Sequence, residues 1–117
     1  MIINFKIFEN NNEDNIKRGD MVGCNDRVTL VVSDMYMVDG KNGFDLYYRS
    51  WSGDILHEEI DDIETCTTDD YEQNLWAYIN IAKSNNYIIN IPEYLKDDYP
   101  KEYEETQIRN KAIEFNI

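Results

Sequence analysis

Between Ser50 and Ala82 the chain carries nine carboxylates (Asp54, Glu58, Glu59, Asp61, Asp62, Glu64, Asp69, Asp70 and Glu72) and neither Lys nor Arg. Residues 1–50 hold eight acids and six bases, whereas residues 51–117 hold sixteen acids and five bases, so most of the net charge of −13 belongs to the second part. A focused negative surface attracts cations and basic proteins and repels nucleic acid. Alternate strand residues lie roughly 6.6–7 Å apart, and helix neighbours three or four apart have Cβ atoms roughly 5–6 Å apart. Those spacings match the scale of neighbouring nucleic-acid charges. Carboxylates on a rigid sheet and helix could therefore occupy a basic groove in place of phosphates, with the salt dependence that follows. The contact residues expected on this reading are Glu58, Glu59, Asp61, Asp62, Glu64, Asp69, Asp70 and Glu72. Asp97 and Asp98 form a second cluster, and Tyr71 and Tyr99 are the flanking contacts.

The same acids have a structural account. Asp69, Asp70 and Glu72 sit at a predicted helix N-terminus, where carboxylates complement the dipole whatever the function. Asp54 sits in a turn, where Asp is common, and an acidic surface also keeps a protein soluble.

Other chemistries find less support. A calcium-binding EF-hand loop needs alternating oxygen ligands, then a Gly and a distal Glu. Asn10, Asn12 and Asp14 begin that spacing, but Asn15 stands at the Gly position and Met21 at the distal Glu position. No metal site or cofactor is expected. Nucleophilic catalysis would pair His57, the only His, with Cys24 or Cys66 in space, yet no nucleophile motif surrounds either cysteine. Lys17-Arg18 is the only adjacent basic pair, so direct nucleic-acid binding is not expected. The expectation is a binding protein, not an enzyme.

These residues must be positioned by a strand-rich first part and a helical second part of one domain, with residues 1–66 mainly β and 67–117 mainly α. Met1–Phe8 alternates with Met1, Ile3, Phe5 and Ile7 on one face, which reads as a strand. It has no cleavage site, and no apolar run approaches a membrane span. A cytoplasmic protein is expected, with Cys24 and Cys66 reduced and serving as small buried apolar residues. Glu9–Asn15 reads as a polar loop. Lys17–Val22 gives a turn into a short strand, and Arg27–Val38 is a long strand or one broken by a bulge. Asp39–Gly43 is a hairpin signal, Phe44–Trp51 the return strand, Ser52–Asp54 a tight turn and Ile55–Ile60 the next strand. Asp61–Cys66 adds a short turn and a final pairing.

After Cys66 the period changes. Asp69 with Glu72 fits a capping box, with Thr68 as a competing N-cap. Tyr71, Leu75, Tyr78, Ile79 and Ala82 fall on one helical face, and Ser84-Asn85-Asn86 ends the helix. Tyr87–Ile91 is a strand or a buried connection. Pro92 starts a short helix over Glu93–Asp98, and Pro100 opens another. In the last helix Ile108, Ala112 and Phe115 share a face, and Glu105 is placed to pair with Arg109.

Gly19-Asp20-Met21-Val22, followed by a long strand, a hairpin, a strand ending in Trp51, a tight turn and one more strand, resembles a small SH3-like barrel over residues 17–66. The fold expected is therefore α+β, a small antiparallel SH3-like barrel or curved sheet followed by two or three packed helices. In size, charge and lack of catalytic motifs the chain also looks like phage or mobile-element inhibitors of the anti-CRISPR and DNA-mimic kind. That likeness implies an acidic decoy that inhibits a basic nucleic-acid-binding protein by filling its groove. An immunity protein or antitoxin that neutralises a basic toxin shares the electrostatics. An SH3-like accessory module binding a peptide or small ligand would instead use Tyr36, Tyr47, Tyr48 and Trp51.

Overall fold

The computed structural model describes residues 16–114. The expected strand Met1–Phe8, the loop Glu9–Asn15 with Asn10, Asn12 and Asp14, and Phe115 lie outside the described residues. Six strands come first: β1 (Met21–Cys24), β2 (Arg27–Val31), β3 (Tyr36–Val38), β4 (Lys41–Tyr48), β5 (Asp54–Glu59) and β6 (Glu64–Thr65). Two helices follow, α1 (Thr68–Asn85) and α2 (Pro100–Glu114), and 3-10 turns occupy Arg49–Trp51, Ile60–Asp62 and Glu93–Leu95.

Turn chemistry sets the hairpins. Val38 pairs with Lys41, so the β3–β4 loop is Asp39-Gly40, with φ of 52° and 80°. Positive φ at both central residues is the turn whose twist matches paired strands. Asn25-Asp26 makes the same turn between β1 and β2, with φ of 55° and 62° and Cys24 paired with Arg27. The sequence reading passed over that hairpin. Arg27–Val38 takes the broken form of its two expected alternatives: β2 and β3 pair in succession along one edge of β4, and Ser33 Oγ accepts from the Asp45 amide at 2.9 Å where the ladder is interrupted. β5 pairs with β4 along its whole length, from Tyr48 with Asp54 to Gly43 with Glu59. At Gly43 the strands approach so closely that a Cβ would lie 2.2 Å from the Glu58 carbonyl oxygen.

The SH3-like barrel or curved sheet is not formed; the fold is α+β with an open six-stranded sheet. The order is β3-β4-β2-β1-β6, with β5 on β4. Among the described residues, β5 pairs only with β4 and β6 only with β1, so the strands that would close a barrel stand apart. The reason is local. The Ile60–Asp62 turn ends the β5 ladder, and the two exposed residues of β6 reach only Val22 and Gly23.

Strand alternation sends side chains into a core layer on each face of the sheet. Phe44, Leu46 and Tyr48 of β4 join Val22, Cys24, Val31, Ile60 and Ile63 on one face. Met21 and Leu30 on the other face meet Leu75, Tyr78, Ile79 and Ala82 of α1, with Ile89, Ile91 and Leu95 beyond. The expected α1 stripe is thus the one that packs, and Tyr78 adds a bond from its hydroxyl to the Val28 carbonyl at 2.6 Å. Its N-cap is neither Asp69 nor Thr68: Thr67, still extended as the chain leaves β6, accepts from the Asp70 amide at 3.1 Å. Asn86, with φ of 59°, ends the helix. Tyr87–Ile91 is a buried connection, and the helix expected over Glu93–Asp98 is a single 3-10 turn, leaving two helices. Among the described side chains of α2, Thr106 is the buried one, in line with half-buried Tyr103. Ile108 lies roughly 200° round the axis from Thr106 and is exposed, not part of an inner stripe. Glu105 lies 3.6 Å from Lys83 of α1; the side chains of Arg109, its expected partner, and of Ala112 lie outside the described residues.

Candidate functional site

The acids expected to act together separate into distinct environments. The 3-10 turn Ile60–Asp62 is held by two buried side chains, Ile60 and Ile63, which leave Asp61 and Asp62 projecting outward. Glu64 is exposed on β6, and Asp69 and Asp70 are exposed in the first turn of α1. Asp61, Asp62, Glu64, Asp69 and Asp70 make no ion pair among the described residues. Asp62, Glu64 and Asp70 act on the two thiols beneath them. Cys24 is pushed up first by burial and then by the carboxylates of Glu58, Asp62 and Glu64. Cys66 is pushed up to about 11 by burial and by Asp70. Both cysteines line a cleft of about 320 Å³ walled also by Asp26, Glu64, Thr67 and Asp70. Asp26 is a site residue that sequence reasoning missed. Its signal was the Asn25-Asp26 turn pair, which carries it to the cleft.

Glu58 and Glu59, expected in the same set, are engaged within the sheet. Glu58 Oε2 accepts from the Tyr48 hydroxyl at 2.5 Å and from Asn25 Nδ2 at 3.1 Å. Asn25 Nδ2 also donates to the Tyr48 hydroxyl at 2.9 Å, closing a three-membered network. Burial, then the Cys24 thiol and the Glu58 carboxylate, raise the Tyr48 phenol, so it stays a donor. Glu59 lies 3.8 Å from Lys41. Glu72, on α1, is exposed and close enough to Tyr94 to raise its phenol, after the contribution of burial. Asp97 and Asp98 are exposed in the connection to α2 and do not line the cleft.

The two flanking tyrosines point inward. The Tyr71 hydroxyl donates to the Asn90 carbonyl at 2.9 Å, and burial, then Asp20, raise its phenol. Tyr99 is half-buried and stacks on Trp76 with ring centroids 6.1 Å apart. Neither is placed as a free contact beside the acidic strip. Sequence reasoning passed over Trp76 and Tyr94, both of which are exposed. Trp76 is adjacent to Leu75 yet off the apolar stripe, and that offset was its signal.

The cysteines and His57 do not meet. His57 packs tilted against Tyr36, with ring centroids 4.5 Å apart, and its Nδ1 lies 3.5 Å from Asp45 Oδ1. Cys24 is buried in one core layer beside Tyr48, and Cys66 is half-buried on the α1 side near Asp70 and Tyr71. Raised thiols also make weak nucleophiles. The aromatic groove needed for the accessory-module reading is not assembled either. Tyr47 and Tyr48 are strand neighbours and point to opposite faces. Tyr48 is fully buried and stacked on Trp51 at 4.5 Å, while Tyr47 packs edge-on against Tyr78 and Tyr87. Arg27 lies 4.4 Å over the Trp51 ring and places one cation within the acidic cleft.

Comparison with family models, curated proteins and solved structures finds no match to the chain. Among the described residues no helix is long and apolar enough to cross a membrane.

Proposed function

We propose that the chain is an acidic binding protein that inhibits a basic nucleic-acid-binding protein by occupying its groove, in the manner of an anti-CRISPR or DNA-mimic inhibitor. The observation that carries this reading is the strip Asp61, Asp62, Glu64, Asp69 and Asp70: five exposed carboxylates on well-anchored elements, without ion pairs among the described residues. A pair of opposite charges at 4 Å is worth only about 1 kcal/mol in bulk water. Affinity on such a strip therefore comes from several contacts together and from steering of the encounter. The backbone that carries Asp61 and Asp62 is anchored by buried Ile60 and Ile63, which lowers the ordering cost of binding.

The partner is captured from a host lysate at low and high salt, and the captured protein is then tested for nucleic-acid binding with and without the chain. Asp61→Lys, Asp62→Lys and Glu64→Lys together should abolish inhibition and leave the fold intact. A triple variant that stays folded and inhibits like the parent sinks the proposal. Capture of a nuclease whose active site is blocked would move the reading to an immunity protein.

A further inference from the structure

We propose that the exposed aromatic platform on α1, centred on Trp76, receives arginine side chains of the basic partner. The inference rests on the basic character of that partner and concerns a different surface from the acidic strip. Trp76 is 50% exposed although it is among the largest apolar side chains in the chain, and Tyr94, close to Glu72, is 61% exposed. Trp76 is not loose: its ring lies nearly parallel to that of Tyr99, at 17° and 6.1 Å between centroids. Tyr99 in turn packs against the α1 core layer. A supported indole with one face open is costly to leave in water and is the residue type that dominates binding energy at interfaces.

The charge around the platform selects the occupant. Glu72 lies one helical turn before Trp76, on the same face, and makes no ion pair among the described residues. Among the described residues Lys96 pairs with Glu93 at 3.5 Å and Lys83 with Glu105 at 3.6 Å, so neither neutralises Glu72. An open indole beside an unpaired carboxylate suits a planar cation that stacks on the ring while bonding to the carboxylate. Guanidinium does both, whereas ammonium is more strongly hydrated and does not stack as a plane. The chain uses the same device internally, with Arg27 over Trp51 at 4.4 Å. Recognition of arginine here would give the partner's orientation a second fixed point, which a strip of carboxylates alone does not supply.

The test titrates the ¹⁵N-labelled chain with nona-arginine and nona-lysine peptides and follows the two indole N–H resonances, assigned with Trp51→Phe. Nona-arginine should move the Trp76 resonance and bind several-fold tighter than nona-lysine. Trp76→Ala with Tyr94→Ala should weaken nona-arginine about tenfold, the size of a partly desolvated cation–π contact. Glu72→Gln, at an exposed position, should weaken it two- to threefold, or about 0.4–0.7 kcal/mol, and serves if the aromatic variant melts early. The inference is overturned if the Trp76 resonance stays fixed at saturation, or if the two peptides bind alike. Insensitivity to Trp76 and Tyr94 combined with loss on reversing Asp61, Asp62 and Glu64 overturns it while leaving the acidic strip standing. No binding of either peptide by the parent chain at low salt overturns both.

Discussion

Tyr48→Phe tests the division between structural and available carboxylates. The Tyr48 ring is fully buried and stacked on Trp51, and phenylalanine preserves both features. What is lost is one donor to the Glu58 carboxylate at 2.5 Å, one acceptor for Asn25 at 2.9 Å and a weak bond with the Cys24 thiol. A hydrogen bond to a charged group contributes about 1.5–3 kcal/mol and a neutral one about 0.5–1.5 kcal/mol. Glu58 keeps its bond from Asn25 at 3.1 Å and is only half-buried, so water recovers part of the loss. The expected cost is about 2 kcal/mol, or about 8 °C in melting temperature for a chain of this size.

Glu58→Gln retains an acceptor for the phenol and should cost about 1 kcal/mol. In a double-mutant cycle the pair should show coupling of about 1 kcal/mol, since the residues touch. Thermal melts and urea titrations with an unchanged m-value are the assay. If Tyr48→Phe melts within about 1 °C of the parent and the two changes add, Glu58 is not committed to the sheet. It would then belong with the exposed strip.

Leu75→Ala, at a fully buried position of α1, should cost about 2–5 kcal/mol; an unchanged melt would show that this face does not pack on the sheet. Gly43→Ala should cost about 3 kcal/mol or more, because a Cβ 2.2 Å from the Glu58 carbonyl oxygen must force β4 and β5 apart; amide exchange along β5 at the parent's rate would contradict it. Cys66, pushed up to about 11, should be alkylated by iodoacetamide more slowly than free cysteine until the pH nears that value, as read by mass spectrometry. A raised thiol favours the folded state fully below its ordinary value and loses that contribution as pH rises through the folded one. Stability should therefore fall between pH 9.0 and about 11, less steeply in Cys66→Ala.

What was legible in the sequence was local. The stripe Tyr71, Leu75, Tyr78, Ile79 and Ala82 repeats at the helical period and packs as expected. Asp39-Gly40 and Ser52-Gly53 have the positive φ that their turns require. Asn25-Asp26 makes an equivalent turn without glycine, through residues that tolerate the left-handed region, and was missed for that reason. The pairing of β5 with β4 was legible in the Ser52-Gly53 turn, but the open sheet was not, because closure depends on whether the distant strands β5 and β6 meet, which nothing local decides. The division of the acids was hidden for the same reason. Glu58 and Glu59 look like Asp61 and Asp62 along the chain, yet Tyr48, Asn25 and Lys41 reach the first pair from other parts of the sheet.

Structural explanations account for part of the acidic strip and stop short of the rest. Asp69 and Asp70 occupy the first turn of an 18-residue helix, where the dipole favours them with or without a partner. Asp61, Asp62 and Glu64 have no such support: they sit on a 3-10 turn and a two-residue strand, close to one another and to Glu58. Like charges set close together disfavour the fold modestly at exposed positions, and a neutral side chain removes that effect. Asp61→Asn, Asp62→Asn and Glu64→Gln together should therefore raise the melting temperature, most at low salt, where repulsion is least screened. The same variant should bind the partner more weakly and more slowly. Gain of stability with loss of binding marks residues retained for function. A neutralised variant that gains stability and still binds like the parent would place these three acids with the solvated surface and leave the partner to be sought elsewhere on the molecule.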